Sequence, residues 1–156
     1  MDIRSRVEFA AGVEEVFAMM TDRSYLEEVC QASHPRSYEV EVTGTTTVTK
    51  RKLPAPGAAA KFTGPEVTVL EETAWGPADA NGNRTGRVTM SVPGQPVTMK
   101  GAVQLSAGGA GTVAELTGDL KVTIPILGKK LEQASAPAIL AGFNTQQKVG
   151  DAWLSE

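Results

Sequence analysis

The sequence predicts an α+β fold: a curved, seven-stranded antiparallel sheet wrapped around one long C-terminal helix, with two short helices after the first strand. Three observations predict it. For roughly ninety residues after His34-Pro35 the chain reads as β-strands broken by Gly-, Pro- and Asn-containing turns, the pattern of an antiparallel meander. The last segment changes to helical spacing. One face of such a sheet is apolar and needs a cover, and only the last helix is long enough to provide it.

Residues 3–9, IRSRVEF, open the chain as a strand with Ile3, Val7 and Phe9 on one parity. Val13, Val16, Phe17 and Met20 then fall at i, i+3, i+4 and i+7, the stripe of a short helix. Asp22 suits the N-cap of a second short helix that carries Tyr25, Leu26, Val29 and Cys30 on one side. In RSYEVEV, Tyr38, Val40 and Val42 share one face while Glu39 and Glu41 share the other, the alternation of a half-buried strand. Gly44 marks a turn, and the β-branched run TTTVTKRKL continues the sheet.

The segment 54–65, PAPGAAAKFTGP, reads as a loop, either a plain connection or a flap over a cavity mouth. VTVLEETAW (67–75) is the next strand, and NGNRTG (81–86) has hairpin-turn chemistry. RVTMSV (87–92) turns Val88, Met90 and Val92 inward, and VTMKGAVQL (97–105) turns Met99, Val103 and Leu105 inward. After the GGAG reversal, the strand 112–124 buries Ala114, Leu116, Leu120, Val122 and Ile124, with Gly118 on the same face permitting a bulge or a close approach. Pro125 ends the sheet because it cannot donate to a ladder.

The helix spans 127–154, about 28 residues and near 42 Å if unbroken. Its first stripe is Leu127, Leu131, Ala134 and Ala138; beyond Pro137 it becomes Ile139, Phe143, Gln146, Gly150 and Trp153. A kink or break at Pro137 is the expected cause. The helix also presents Ala134, Ser135, Ala136, Ala138, Ala141 and Gly142. Small residues there either bring the helix close to the sheet or leave room beneath it.

The 156 residues, 41% hydrophobic and 21% charged, suit one domain spanning 1–156. A net charge of −3 disfavours general nucleic-acid binding, and Lys50-Arg51-Lys52 reads as a solvated strand end. Cys30 is the only cysteine, so neither an intrachain disulfide nor a cysteine metal site is possible. The N-terminus lacks the uncharged core of a signal peptide. No stretch approaches the roughly 20 apolar residues of a membrane span, so a cytoplasmic location is expected.

His34 is the only histidine, which excludes a multi-histidine metal site and weakens any Cys–His nucleophile with Cys30. Cys30 completes an apolar stripe and reads as structural. Glu71 and Glu72 are adjacent on a strand and point to opposite faces, so they cannot form a paired-carboxylate site. An inward one reads as a bulge or salt-bridge partner, with a lone general base or a ligand contact as the alternatives. Phosphate-loop and dinucleotide fingerprints are absent from the sequence. No catalytic residue, metal or cofactor is expected.

The element order, with VTIPILGKKLE at 122–132 and VGDAWL at 149–154, resembles the START-like, Bet v 1-like (SRPBCC) helix-grip superfamily. Within it the chain is most similar to an uncharacterised actinobacterial group, the DUF2505-like domains of unknown function. The resemblance implies a cavity between sheet and C-terminal helix that takes lipids, polyketides or other apolar small molecules. Its motifs are structural and carry over no catalytic residue.

Binding or carriage of such a molecule is therefore the expected function. From the inward faces, Met90, Leu105, Leu116, Ile139 and Phe143 form the expected apolar lining, with Tyr38, Trp75 and Gln146 as its polar handles. The alternatives are a cyclase- or hydratase-like enzyme using His34, Tyr38 or a buried glutamate, and a protein-interaction module with a filled core.

Overall fold

The alternating segments form seven strands: β1 (Asp2–Phe9), β2 (Ser37–Thr43), β3 (Thr46–Pro54), β4 (Glu66–Trp75), β5 (Arg84–Ser91), β6 (Val97–Gly108) and β7 (Gly111–Val122). The helices are α1 (Val13–Met20), α2 (Arg23–Ala32), the single turn α3 (Ala60–Thr63) and the long α4 (Gly128–Leu154). The computed structural model describes residues 1–156, apart from the side chain of Ala58. Every pairing is antiparallel and the order is β1-β7-β6-β5-β4-β3-β2. Strands β2 to β7 are thus a meander, and β1 returns to pair with β7, leaving β1 and β2 as the edges.

Local chemistry explains the element ends. The Asp22 carboxylate accepts the Ser24 N–H at 2.8 Å, satisfying one of the donors a helix start leaves unpaired. Beyond α2, His34 takes a left-handed conformation (φ 51°) and donates its N–H to the Gln31 carbonyl. The lone histidine therefore closes a helix. Strand β7 stops at Val122, two residues before the expected end at Ile124. Pro125 follows without a donor, and Ile126 turns the chain away through φ 72°.

Three expectations need correction. The segment 54–65 is not all loop: it holds a 3-10 turn, Gly57–Ala59, and then α3. Its alanines favour a helical turn, and Gly64 (φ 88°) terminates it. Of the kink or break expected at Pro137, the break does not occur: α4 is continuous from Gly128 to Leu154. Pro137 and Gln133, whose carbonyl loses its helical partner, both face solvent, where water can hydrate that oxygen. Lys50-Arg51-Lys52 is not a uniformly solvated strand end. Lys50 and Lys52 are exposed, but the pleat turns Arg51 inward with Thr47, Thr49 and Leu53.

The core consists of three clusters along the concave face. At one end, Phe9, Val16, Met19, Tyr25, Trp75 and Leu105 pack under α1 and α2. Arg84 clasps α1 over this end: it forks onto Glu14 with both bonds at 3.1 Å, donates to the Gly76 carbonyl and lies 3.9 Å above the Phe17 ring. In the middle, Ile3, Val88, Met99, Leu116 and Leu120 meet Ala136 of α4. At the far end, Val122 meets Ala59 and Leu131. Gly101 and Gly118 face each other across β6 and β7. A Cβ on Gly101 would collide with the Thr117 carbonyl, and one on Gly118 would lie 3.1 Å from Met99 Sδ. Of the two roles open to Gly118, the structure uses close approach.

Two glycines of α4 differ in what surrounds them. A Cβ on Gly150 would lie 2.5 Å from Phe9 Cε1 and 3.1 Å from Met19 Cε, whereas one on Gly142 would have nothing within 4 Å. Gly150→Ala should cost about 1–3 kcal/mol by overpacking, while Gly142→Ala should stabilise by about 0.5–1 kcal/mol through helix propensity. Urea unfolding midpoints of the two variants check both signs.

Candidate functional site

Helix α4 packs on β1, β7, α2 and the 3-10 turn. The curved sheet carries β3, β4 and β5 away from that contact, and a cavity of about 460 Å³ lies between them and the helix. Val67, Val69, Met90 and Met99 form its sheet wall, and Ile139 and Phe143 face them from α4. The small residues of the helix divide by position. Ala136 is buried against the core, whereas Ser135, Ala138, Ala141 and Gly142 border the cavity. A small side chain there leaves volume unfilled. The segment 54–65 lies along the same space through Pro54, Ala55, Pro56, Ala59 and Thr63.

A smaller lobe of about 80 Å³ continues toward α2, where Tyr25, Cys30, Trp75 and Leu116 meet it. Arg51, Glu71, Phe143 and Gln146 border both lobes. Gln146 is held from α2: the buried Tyr25 hydroxyl donates to its main-chain carbonyl at 2.9 Å, and the Tyr25 ring meets Trp153 edge-on with centroids 6.0 Å apart.

The polar content is concentrated at the junction of the lobes. Arg51 and Glu71 sit 3.7 Å apart, with side chains 11% and 14% exposed. Thr49 is the cross-strand partner of Glu71, and Thr47 is that of Thr73. All four border the smaller lobe, with Ser5. Burial pushes the Glu71 carboxyl above its usual range, opposed by the Arg51 charge. Burial likewise drives the Tyr25 phenol well above its ordinary value. The Cys30 thiol is pushed up to about 11, chiefly by burial, with Arg51 acting in the other direction. At neutral pH, thiol and phenol are both uncharged.

The residues named from sequence separate into three groups. Met90 and Ile139 border the larger lobe, Trp75 and Leu116 the smaller, and Phe143 and Gln146 both. Leu105 borders neither lobe; it is fully buried in the solid cluster beneath α1 and α2. Tyr38 also borders neither, because it lies on the edge strand β2, where its hydroxyl accepts from Gln31 Nε2 at 2.8 Å. His34 is exposed at the end of α2. Sequence reasoning passed over Arg51, although it shares a parity with Thr47, Thr49 and Leu53. It left the facing of Glu71 open, and the structure turns Glu71 inward and Glu72 outward. One charged residue on the inward parity of each of two adjoining strands is the signal that marks them. Among the described residues, no three His, Cys, Asp or Glu side chains gather into a metal-holding group, and no helix is long and apolar enough to cross a membrane.

Residues 4–154 match the family described as "Protein of unknown function (DUF2505)". No curated protein shows significant sequence similarity to the chain. Among solved structures, the chain is similar to TTHA0849 from Thermus thermophilus, with 22% identity, a TM-score of 0.67 and coverage of 97% of this chain and 98% of that one. It is similar to the STAR-related lipid transfer protein from Xanthomonas axonopodis at 15% identity, TM-score 0.64, covering 98% and 85%. A START superfamily protein from Mycobacterium smegmatis matches at 13% identity, TM-score 0.62, covering 98% of both chains. The fold is the START-like helix grip that the element order resembles.

The environment of Cys30 has a direct chemical consequence. A thiol raised from 9.0 to about 11 holds about a hundred-fold less thiolate at neutral pH, and only the thiolate attacks a disulfide reagent. Labelling of the native protein by Ellman's reagent should be at least that much slower than labelling of the urea-unfolded chain. It should also speed up about ten-fold per pH unit in the alkaline range. Equal rates for native and unfolded protein would contradict this placement.

Proposed function

We propose that this chain, which belongs to the DUF2505 family, binds and carries an apolar small molecule in the cavity between α4 and the sheet. One observation carries the proposal. A space of about 460 Å³ with mostly apolar walls remains where the helix bears its smallest side chains. That volume falls within the roughly 300–1,000 Å³ of small-molecule sites, whereas ordinary cores hold few voids larger than a water molecule. A filled-core interaction module does not fit such a space. The likeness of fold to the STAR-related lipid transfer protein from Xanthomonas axonopodis supports the reading.

A cyclase- or hydratase-like enzyme is the second reading, and one observation favours it. Glu71 is an inward carboxyl whose affinity for protons is raised by burial, the direction in which a general acid or base is tuned. Carriage is the better-supported reading because Glu71 has no proton-transfer partner beside it; its charged neighbour Arg51, 3.7 Å away, does not titrate near neutral pH. Cys30 and Tyr25, the other titratable groups nearby, are held neutral, so no second proton-transfer group is paired with the carboxyl.

A neutral fluorescent probe, N-phenyl-naphthylamine, should bind the purified protein with one-to-one stoichiometry. Gly142→Trp places a large side chain where nothing lies within 4 Å of the Cβ position. It should weaken probe binding by about ten-fold or more while leaving the circular dichroism spectrum and unfolding cooperativity unchanged. A wild-type protein that fails to bind the probe, or a variant that binds it equally well, rules out carriage in this cavity.

A further inference from the structure

From the end of the molecule where the 54–65 segment packs on the junction of β7 and α4, we infer that this protein docks on an anionic lipid bilayer through Ile126 and Phe62. The inference stands on the outer surface and holds whether or not the cavity carries a ligand. Ile126 is 99% exposed and Phe62 46%, and with Met1 they are the exposed large hydrophobics among the described residues. Both lie at this end. Ala59, three residues before Phe62, packs on Val122 and Leu131, which bracket Ile126 in the chain.

Residues 126–130 carry three local costs that nothing within the chain offsets. Ile126 has φ 72°, a backbone state that strains a β-branched residue and that glycine adopts freely. Its side chain stands in water instead of in the core. Lys129 and Lys130 place two exposed cations in the first turn of α4, at the positive end of the helix dipole, with no acidic residue in that turn and no side-chain cap. A connection shaped by the fold alone would carry Gly or Asn in the turn and Asp or Glu at the helix start. Local rules broken together mark a functional surface.

An anionic bilayer answers both the exposure and the charge. Its head groups set negative charge against the lysines, and its interfacial layer takes the two apolar side chains out of water. The charge is one-signed across this end. Segments 54–65, 92–98 and 120–131 meet here, through the Ala59 cluster and the Thr123 N–H donated to the Pro96 carbonyl. They hold Lys61, Lys121, Lys129 and Lys130 and no acidic residue, in a chain of net charge −3. The acids on neighbouring elements are engaged: Asp119 and Glu132 with the Met1 amine at 3.1 and 3.4 Å, and Glu66 with Arg36 at 3.0 Å. Two apolar side chains protruding from separate segments suit a soft surface, whereas a folded partner would need a pocket for each.

The test floats the full-length protein with phosphatidylcholine vesicles, either pure or containing about 30% phosphatidylglycerol. Wild type should bind the anionic vesicles about ten-fold or more tightly than the neutral ones, and about 0.5 M salt should remove most of that difference. Ile126→Gly relieves the strain as it removes the side chain. It should leave the melting temperature equal or higher while weakening vesicle binding about ten-fold. Lys129→Glu/Lys130→Glu improves the charge at the helix start, so it too should fold, yet it should lose the preference for anionic lipid. Without vesicles, both variants should take up N-phenyl-naphthylamine as wild type does, so docking and carriage fail separately. No vesicle binding, equal binding to both vesicle types, or undiminished binding by Ile126→Gly overturns the inference. Wild-type dimerisation that Ile126→Gly abolishes, without vesicle binding, assigns the patch to a second copy and overturns it likewise. Capture by poly-glutamate without vesicle binding assigns it to an acidic protein, with the same consequence.

Discussion

The contact of α4 with β1 and β7 sets the width of the space left under the rest of the sheet. At one end Gly150 lies on Phe9 and Met19. In the middle Ala136 lies on the cluster around Ile3 and Leu120. At the far end Leu131 meets Val122 and Ala59. Small residues at two of these points let the helix backbone come close to one side of a curved surface. A rigid rod seated on one flank of a curved sheet cannot also touch the other flank, so β3, β4 and β5 are left facing open volume. The cavity follows from the shapes of the two elements together with the small residues Ser135, Ala138, Ala141 and Gly142 that border it.

That geometry also explains why the two ends of the sheet differ. Where α1 and α2 add a second cover, the open space narrows to the smaller lobe beside Phe9, Tyr25 and Trp75, Leu105 is fully buried, and the Arg84 clasp on Glu14 and Phe17 holds the cover in place. Away from that cover α4, the short 54–65 segment and the end of α2 at Ser33 face the sheet. Tyr25 links the two regimes: its ring belongs to the cluster under α1 and α2, and its hydroxyl anchors Gln146 of α4, which borders both lobes.

An ion pair such as Arg51–Glu71 contributes little to stability when it is mostly withdrawn from water. The cost of desolvating both charges offsets their attraction, and apolar replacements of similar volume commonly do as well or better. The neighbouring inward positions Val67, Val69 and Leu53 show that apolar residues fit these strands. At 3.7 Å the Arg51–Glu71 pair shares no hydrogen bond, so the fold gains little from it.

Much of this architecture was legible in the residues alone. Period-two alternation, turn chemistry at Gly44, Asn81-Gly82 and Gly108–Gly111, the Asp22 cap and the stop at Pro125 are local signals, and local backbone physics is sufficient to read them. They determined the strand order along the chain, the two short helices and the long final one, and the parity of most inward residues. They did not determine what lies above each inward residue. Leu105 and Met90 carry the same inward signal, yet one is sealed beneath α1 and α2 and the other faces open space. Tyr38 alternates as cleanly as either, but edge strand β2 places it outside both lobes. Parity assigns a side chain to a face, while its distance from the opposing surface depends on sheet curvature and helix seating. Both arise from contacts between residues far apart in the chain, such as Phe9 with Gly150 and Tyr25 with Gln146, and only the tertiary structure decided them.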